Sequence, residues 1–174
     1  FIDMAIRKII EYPEPLLRLK AKKVDVFDDE LKILTEDMAE TMWDAPGIGL
    51  AAPQVAQSLS VIVVDITEPG EEKKYLALVN PKIVEHEGTQ LDEEGCLSVP
   101  ELTAQVQRYK KVTVDYQAED GTSNQLVAED RFAVVLQHEI DHLNGVLFID
   151  HLSPLKRNLY KKKRKKMLAL EQTG

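Results

Sequence analysis

Between Asp28 and Trp43 the apolar residues Leu31, Leu34, Met38 and Met42 recur at helical spacing, which predicts an amphipathic helix packed on a sheet. Asp28, Asp29 and Glu30 open that window, where negative charge suits the positive end of the helix dipole. The period then changes. Ser60–Ile66 (SVIVVDI) is a β-branched run and predicts a buried strand. Tyr75–Val84 predicts a second strand, turned or edged by Asn80-Pro81, with His86 beyond it in a polar, solvated turn. Leu102–Gln117 alternates, with Val112, Val114 and Tyr116 on one face. Glu119-Asp120-Gly121 signals a turn, after which Leu126–Ala128 returns as the hairpin partner. Arg131–Leu143 (RFAVVLQHEIDHL) predicts a second helix, ended by Asn144-Gly145. Ser153-Pro154 starts a last helix, with Leu152, Leu155, Leu159, Met167 and Leu170 near helical spacing.

Two stretches resist the pattern. Pro13 and Pro15 bracket an early turn, under which Leu16, Leu17 and Leu19 are expected to pack. Asp44–Gln57 (DAPGIGLAAPQVAQ) is broken by two glycines and two prolines, yet it is apolar rather than solvated. Such a loop is either a tight buried connection or the wall of a site approached by backbone, and the residues leave both open.

At 174 residues the chain suits a single domain, 1–174. With 44% hydrophobic and 30% charged residues it has the composition of a globular protein. It has no run of apolar residues long enough for a transmembrane helix, and its start lacks the pattern of a secretory signal. Phe1, Ile2 and Asp3 precede Met4, which reads as the natural start. One cysteine forms no internal disulfide, so a reducing cytoplasm is the expected setting. The net charge of −8 hides an asymmetry: Lys156–Lys166 carries eight Lys or Arg and no acid. The body is therefore strongly acidic and the C-terminal segment, 154–174, basic.

The chemistry concentrates in the second predicted helix. His138 and His142 stand at i and i+4, on one face, and can point at a single ion. Glu139 sits beside the first of them, placed to work on a water rather than to bind the metal. The apolar lead-in Phe132–Leu136 marks a buried helix that delivers these groups to an interior site. A third ligand is needed. The position where a metzincin would carry a further histidine is Phe148, and the only acid beyond Asp150 is Glu171, in the basic segment. The donor is therefore expected upstream, where Cys96 is the softest candidate, and three ligands leave a fourth position for water.

Three blocks, GIGLAAPQ (Gly47–Gln54), EGCLS (Glu94–Ser98) and QHEIDHL (Gln137–Leu143), resemble the motifs of the bacterial peptide deformylases in order and spacing. The likeness continues through GVLFIDHLSPLK and spans nearly the whole chain from Met4. It implies an α+β fold, with antiparallel sheets packed around the H-E-x-x-H helix and a C-terminal helix. It also implies a cytoplasmic hydrolase that removes the N-formyl group from the starting methionine of nascent polypeptides and releases formate. Carried over by position, Cys96, His138 and His142 bind one divalent metal ion, and Glu139 is the general acid and base. The family association is with Fe2+, with Zn2+ or Ni2+ as alternatives. Gln54 and the backbone N–H of Leu97 would hold the oxyanion, Gly49 would pair with the peptide backbone, and Ile48 and Val134 would line the methionine pocket. Arg108 would pair with Glu94 behind the ligands. At Thr103 the chain departs from the family, whose members commonly carry an arginine there. The basic C-terminal helix implies docking on ribosomal RNA; neither membrane nor DNA is expected as a partner.

Two other functions compete with this reading. An H-E-x-x-H endopeptidase would cut blocked internal bonds. A non-catalytic metal-binding module would need neither Glu139 nor Gln54.

Overall fold

The structure, a computed structural model, describes residues 5–173; the reading of Met4 as the start lies outside them. Three helices, α1 (Asp29–Asp44), α2 (Asp130–Leu143) and α3 (Pro154–Thr173), surround one five-stranded antiparallel sheet. Its strands, β1 (Gly49–Ala51), β2 (Val61–Asp65), β3 (Tyr75–Cys96), β4 (Val99–Gln117) and β5 (Ser123–Glu129), lie side by side in chain order.

β2 shows how the sequence pattern builds the layers. All of Val61, Ile62, Val63 and Val64 are buried, because successive side chains point to opposite faces and both faces are covered. Val61 and Val63 join Leu31, Leu34, Met38 and Met42 of α1 in one cluster. Ile62 and Val64 join Ala133, Leu136 and Ile140 of α2, together with Val112 and Val114 of β4, in another. A third cluster gathers Leu17, Val99, Val106, Phe148, Ile149 and Tyr160 beneath α3. α1 is capped as its first residues suggest: Asp28 accepts from Leu31 N–H at 3.1 Å.

The strands run longer than the pattern predicts. Asn80-Pro81 neither turns nor ends β3; it forms a bulge between Val79 and Lys82. Asn80 takes φ 51°, a left-handed value that asparagine tolerates, and its amide is tied to both backbone polar groups of Val24. The strand therefore continues through His86, which lies in β3 rather than in a turn and stacks on Tyr109 across the ladder at 3.9 Å. Further irregularities between Ile83 and Glu85 and between Gly95 and Cys96 bend the β3–β4 hairpin. Its closing turn, Leu97-Ser98, thereby comes to lie beside α2.

Two apolar expectations fail. Leu17 is buried under the early turn, but Leu19 is exposed. On α3, Leu155, Leu159 and Leu170 face outward, and Tyr160 and Arg164 make the buried seam instead. Tyr160 donates to Pro100 O at 2.9 Å and Arg164 Nε to Tyr12 O at 2.8 Å, so polar anchors dock this helix.

Candidate metal centre

α2 ends at Leu143 with Asn144 as its cap, and Gly145 follows with φ +73°. A Cβ there would lie 2.3 Å from Arg18 O, so only glycine lets the chain leave the helix at this point. This stop fixes the last turn of α2 and with it His142. His138 and His142 project from one face of the helix, their ring centroids 5.1 Å apart. The β3–β4 turn brings Cys96 to them, with Sγ 3.4 Å from His142 Nε2. One donor atom from each of Cys96, His138 and His142 lies within 4.8 Å of the others. Two such ligands of a tetrahedral zinc stand about 3.6 Å apart, so the thiol–imidazole spacing suits a shared ion.

The surroundings fit a cation as well. Glu94, buried, approaches His138 Nδ1 at 2.8 Å, which orients the ring and leaves Nε2 toward Cys96. Arg108 grips Glu94 with two bonds, Nε at 2.7 Å and Nη2 at 2.8 Å, and reaches Asp141 at 2.6 Å through Nη1. Burial pushes the Glu94 carboxyl up, but the hydrogen bonds and charges of Arg108 and His138 outweigh it and hold the group down at about 2. Burial opposes charge on His138, yet Cys96, Glu94 and Glu139 draw positive charge to it and raise its pKa. His142 goes the other way, kept neutral by burial and by the cations around it. Two imidazoles and a thiol converging on one point, with the Glu94 carboxylate behind them, are a donor set for a divalent metal.

Glu139 is buried against this cluster without joining it. Its Oε1 has no hydrogen-bond partner among the described residues. Burial is the main force on it, lifting its pKa to about 7, with Glu94 and Asp141 adding to the lift and His138 and Arg108 opposing it. A carboxylate near neutral in pKa is suited to taking a proton and giving it back.

A cavity of about 370 Å³ opens onto these groups. Ile48, Gly49, Gln54, Leu97, Val134, Val135 and Glu139 are among the residues that line it. The apolar Asp44–Gln57 stretch is thus the wall of a site: Gly49–Ala51 is the edge strand β1, and Ala52–Val55 a single 3-10 turn. Gly49 is needed because a Cβ would lie 2.7 Å from Glu139 Oε2 and 3.0 Å from Val135 Cγ1. Gln54 Oε1 accepts from Ala51 N–H at 2.9 Å, which turns its amide Nε2 toward Cys96, 3.7 Å away, and Ser98 Oγ, at 3.1 Å.

All eleven residues singled out from the sequence therefore gather around one pocket or directly behind it. Sequence reasoning missed Ser98, Asp141 and Val135, the partners of Gln54, Arg108 and Gly49. Two of them carried a signal, since Ser98 closes the EGCLS block and Asp141 adjoins His142.

Comparison with known proteins gives one answer. The family model for polypeptide deformylase matches residues 6–158. A peptide deformylase of Desulfotalea psychrophila is 62% identical over 164 residues, covering 94% of this chain and 97% of its own. One from Syntrophobacter fumaroxidans is 51% identical over 165 residues, covering 95% and 97%. The crystal structure of a peptide deformylase from Legionella pneumophila superposes with a TM-score of 0.89 at 46% identity, covering 98% of this chain and 99% of the other.

Proposed function

The chain belongs to the peptide deformylase family, metal-dependent enzymes that remove the formyl group from N-formylmethionyl nascent peptides, and we propose how its own residues divide that work. Cys96, His138 and His142 hold the divalent ion. Bound there, the ion supplies Lewis acidity, polarising a carbonyl oxygen and lowering the pKa of water. The observation that carries this assignment is the convergence of those three donors beside the unpartnered oxygen of Glu139.

Each remaining residue then has a task. Glu139 takes the proton of the attacking water and returns it to the methionine nitrogen, which leaves as an amine. Gln54 Nε2, fixed by the bond from Ala51, and the backbone N–H of Leu97 donate to the oxygen on which negative charge develops. The free edge of β1 at Gly49 pairs with the extended peptide, and Ile48 and Val134 receive the methionine side chain. Glu94, held by Arg108, keeps His138 in its ligating orientation. The thiolate softens the site, which favours Fe2+ over harder ions, and Zn2+ or Ni2+ also suit it.

The deciding experiment follows formate release from formyl-Met-Ala-Ser by anaerobically purified protein of known metal content. Activity is expected to vanish on chelation and to return with added Fe2+. Absence of release from protein with one metal per chain would overturn the assignment, and cleavage of a blocked internal bond would favour an endopeptidase. Gly49→Ala tests the wall. Its methyl must displace the Glu139 carboxylate, and an ångström of misplacement costs about 10²-fold in kcat/KM. An unchanged kcat/KM in a variant of unchanged Tm would refute the close approach.

α3 supports a second contact, with ribosomal RNA. Six lysines, Lys156, Lys161, Lys162, Lys163, Lys165 and Lys166, are exposed on it, on an otherwise acidic protein, whereas Arg164 is turned inward. Such a surface gives steeply salt-dependent binding to phosphates. Replacing Lys161, Lys162, Lys165 and Lys166 with glutamine should abolish co-sedimentation with ribosomes at low salt and leave formate release intact. Undiminished, salt-insensitive co-sedimentation would rule the contact out. We infer a cytoplasmic setting from the proposed substrate, the formylated nascent chain on the ribosome. No helix among the described residues is long and apolar enough to cross a membrane.

A further inference from the structure

One charged residue of the pocket has no task in that scheme. Arg131 lines the same cavity as Val134, Val135 and His138, and it is the only Lys or Arg to do so among the described residues. It sits in the first turn of α2, on the face that carries Val134 and His138 toward the substrate. Its side chain is 59% exposed, so it stands at the mouth of the cavity rather than in its floor. Nη1 is bound to Asp92 Oδ2 at 2.5 Å and lies 3.5 Å from Glu93 O. Nε–H and the Nη2 hydrogens have no protein partner among the described residues. The guanidinium is therefore anchored on one arm and free on the other two. Anchoring lowers the entropy cost of a further bond.

Spacing says what could reach it. Arg131 precedes Val134 and Val135 by three and four residues, about 4.5–6 Å along the axis at 1.5 Å per residue. In an extended peptide the first and third side chains share a face, about 6.6 Å apart. A substrate whose methionine rests against Val134 thus presents its third side chain at the height of Arg131, while the second points away. We propose that Arg131 is a specificity-determining residue that reads the third position of the formylated peptide and favours a carboxylate there. The inference rests on the orientation proposed above, with methionine against Val134 and the peptide along β1.

The opposite preference has its own chemistry, since Asp92 and the exposed Glu93 would attract a lysine. Asp92, however, is already committed to Arg131 and is itself only 28% exposed. The free donors at the mouth belong to the arginine. The expected advantage is that of a solvent-exposed ion pair, about three- to fivefold in kcat/KM. It should fall mainly on KM, because the contact is made equally in the ground state and the transition state.

The test compares formyl-Met-Ala-Asp, formyl-Met-Ala-Asn and formyl-Met-Ala-Lys, all as C-terminal amides, in the metal-loaded enzyme and in Arg131→Gln and Arg131→Lys. The native enzyme should prefer Asp over Asn about three- to fivefold and Asn over Lys, with both ratios shrinking in 1 M salt, where the screening length is about 3 Å. In Arg131→Gln the Asp/Asn ratio should fall to one. In Arg131→Lys it should survive in part, since charge remains without the fork. Equal turnover of the three peptides by the native enzyme, a preference for Lys, or an Asp/Asn ratio that persists in Arg131→Gln would each overturn the proposal while leaving the deformylase reading standing. Failure of the native enzyme, with a full metal site, to release formate from any of the peptides would overturn both.

Discussion

Glu139→Gln is expected to lower kcat/KM for a formylated peptide by about 10²–10⁴-fold while the metal content per chain stays unchanged. The amide keeps the volume of the side chain in a pocket where Glu139 is only 4% exposed, so the fold has no reason to respond. It also leaves Cys96, His138 and His142 in place, because Glu139 is not among the three converging donors. What disappears is a group that can hold a proton and release it. Burial has raised the carboxyl to about 7, which places its two forms near balance at neutral pH; an amide has no such equilibrium. Formate release and metal analysis on one preparation decide the matter. A loss of activity that tracks a loss of metal would mean that Glu139 supports the ligands instead. Full activity in the metal-loaded variant would remove it from the mechanism.

The second large effect is on stability. Arg108→Ala strips a guanidinium from between Glu94 and Asp141 and leaves the Glu94 carboxylate buried without its principal partner. Breaking a buried pair on one side costs about 3–5 kcal/mol, or a fall of about 10 °C in Tm for a chain of this length. Glu94 would also hold His138 less firmly, and loss of such support weakens metal binding by about 10–100-fold. Thermal unfolding and a chelator competition measure the two effects separately. The pH dependence has a definite sign. The folded Glu94 carboxyl is depressed from 4.5 to about 2, so the pair's stabilisation is fully present above pH 4.5 and fades as the pH falls toward 2. The gap in stability between the native protein and Arg108→Ala should therefore narrow over that window. A constant gap, or a Tm indistinguishable from that of the native protein, would show that solvent reaches the pair and that it contributes little.

These two predictions concern residues that were legible in the sequence to different degrees. Glu139 could be placed beside an ion from the H-E-x-x-H spacing alone, because i and i+4 share a helix face wherever that helix lies. Cys96 followed from the need for a third donor in a chain with one thiol. Glu94 and Arg108 could not be paired by local rules: in the β3–β4 ladder Glu94 stands opposite Ala104 and Arg108 opposite Gln90, and the long arginine side chain closes the remaining distance. The bends that aim the hairpin at α2 were likewise hidden. Asn80-Pro81 reads locally as a turn, but bonds to Val24, fifty-six residues away, and to Gln117, thirty-seven away, hold Asn80 in a bulge that lets the strand continue. The outward-facing leucines of α3 misled for a related reason: helical spacing marks a face but does not say whether a partner covers it.

By itself, then, the sequence determined the helices α1 and α2, the continuous β-branched run of β2, the three blocks that carry the family likeness and the chemistry of the ligands. Each of these depends on interactions within a few residues or on residue identity alone. Tertiary structure decided that β1 is a free edge at the pocket, that a glycine at position 49 makes room for Glu139, that Gln54 points its amide inward and that Arg131 stands at the mouth. Those facts depend on which distant segments meet, and that is settled by the packing of the whole chain.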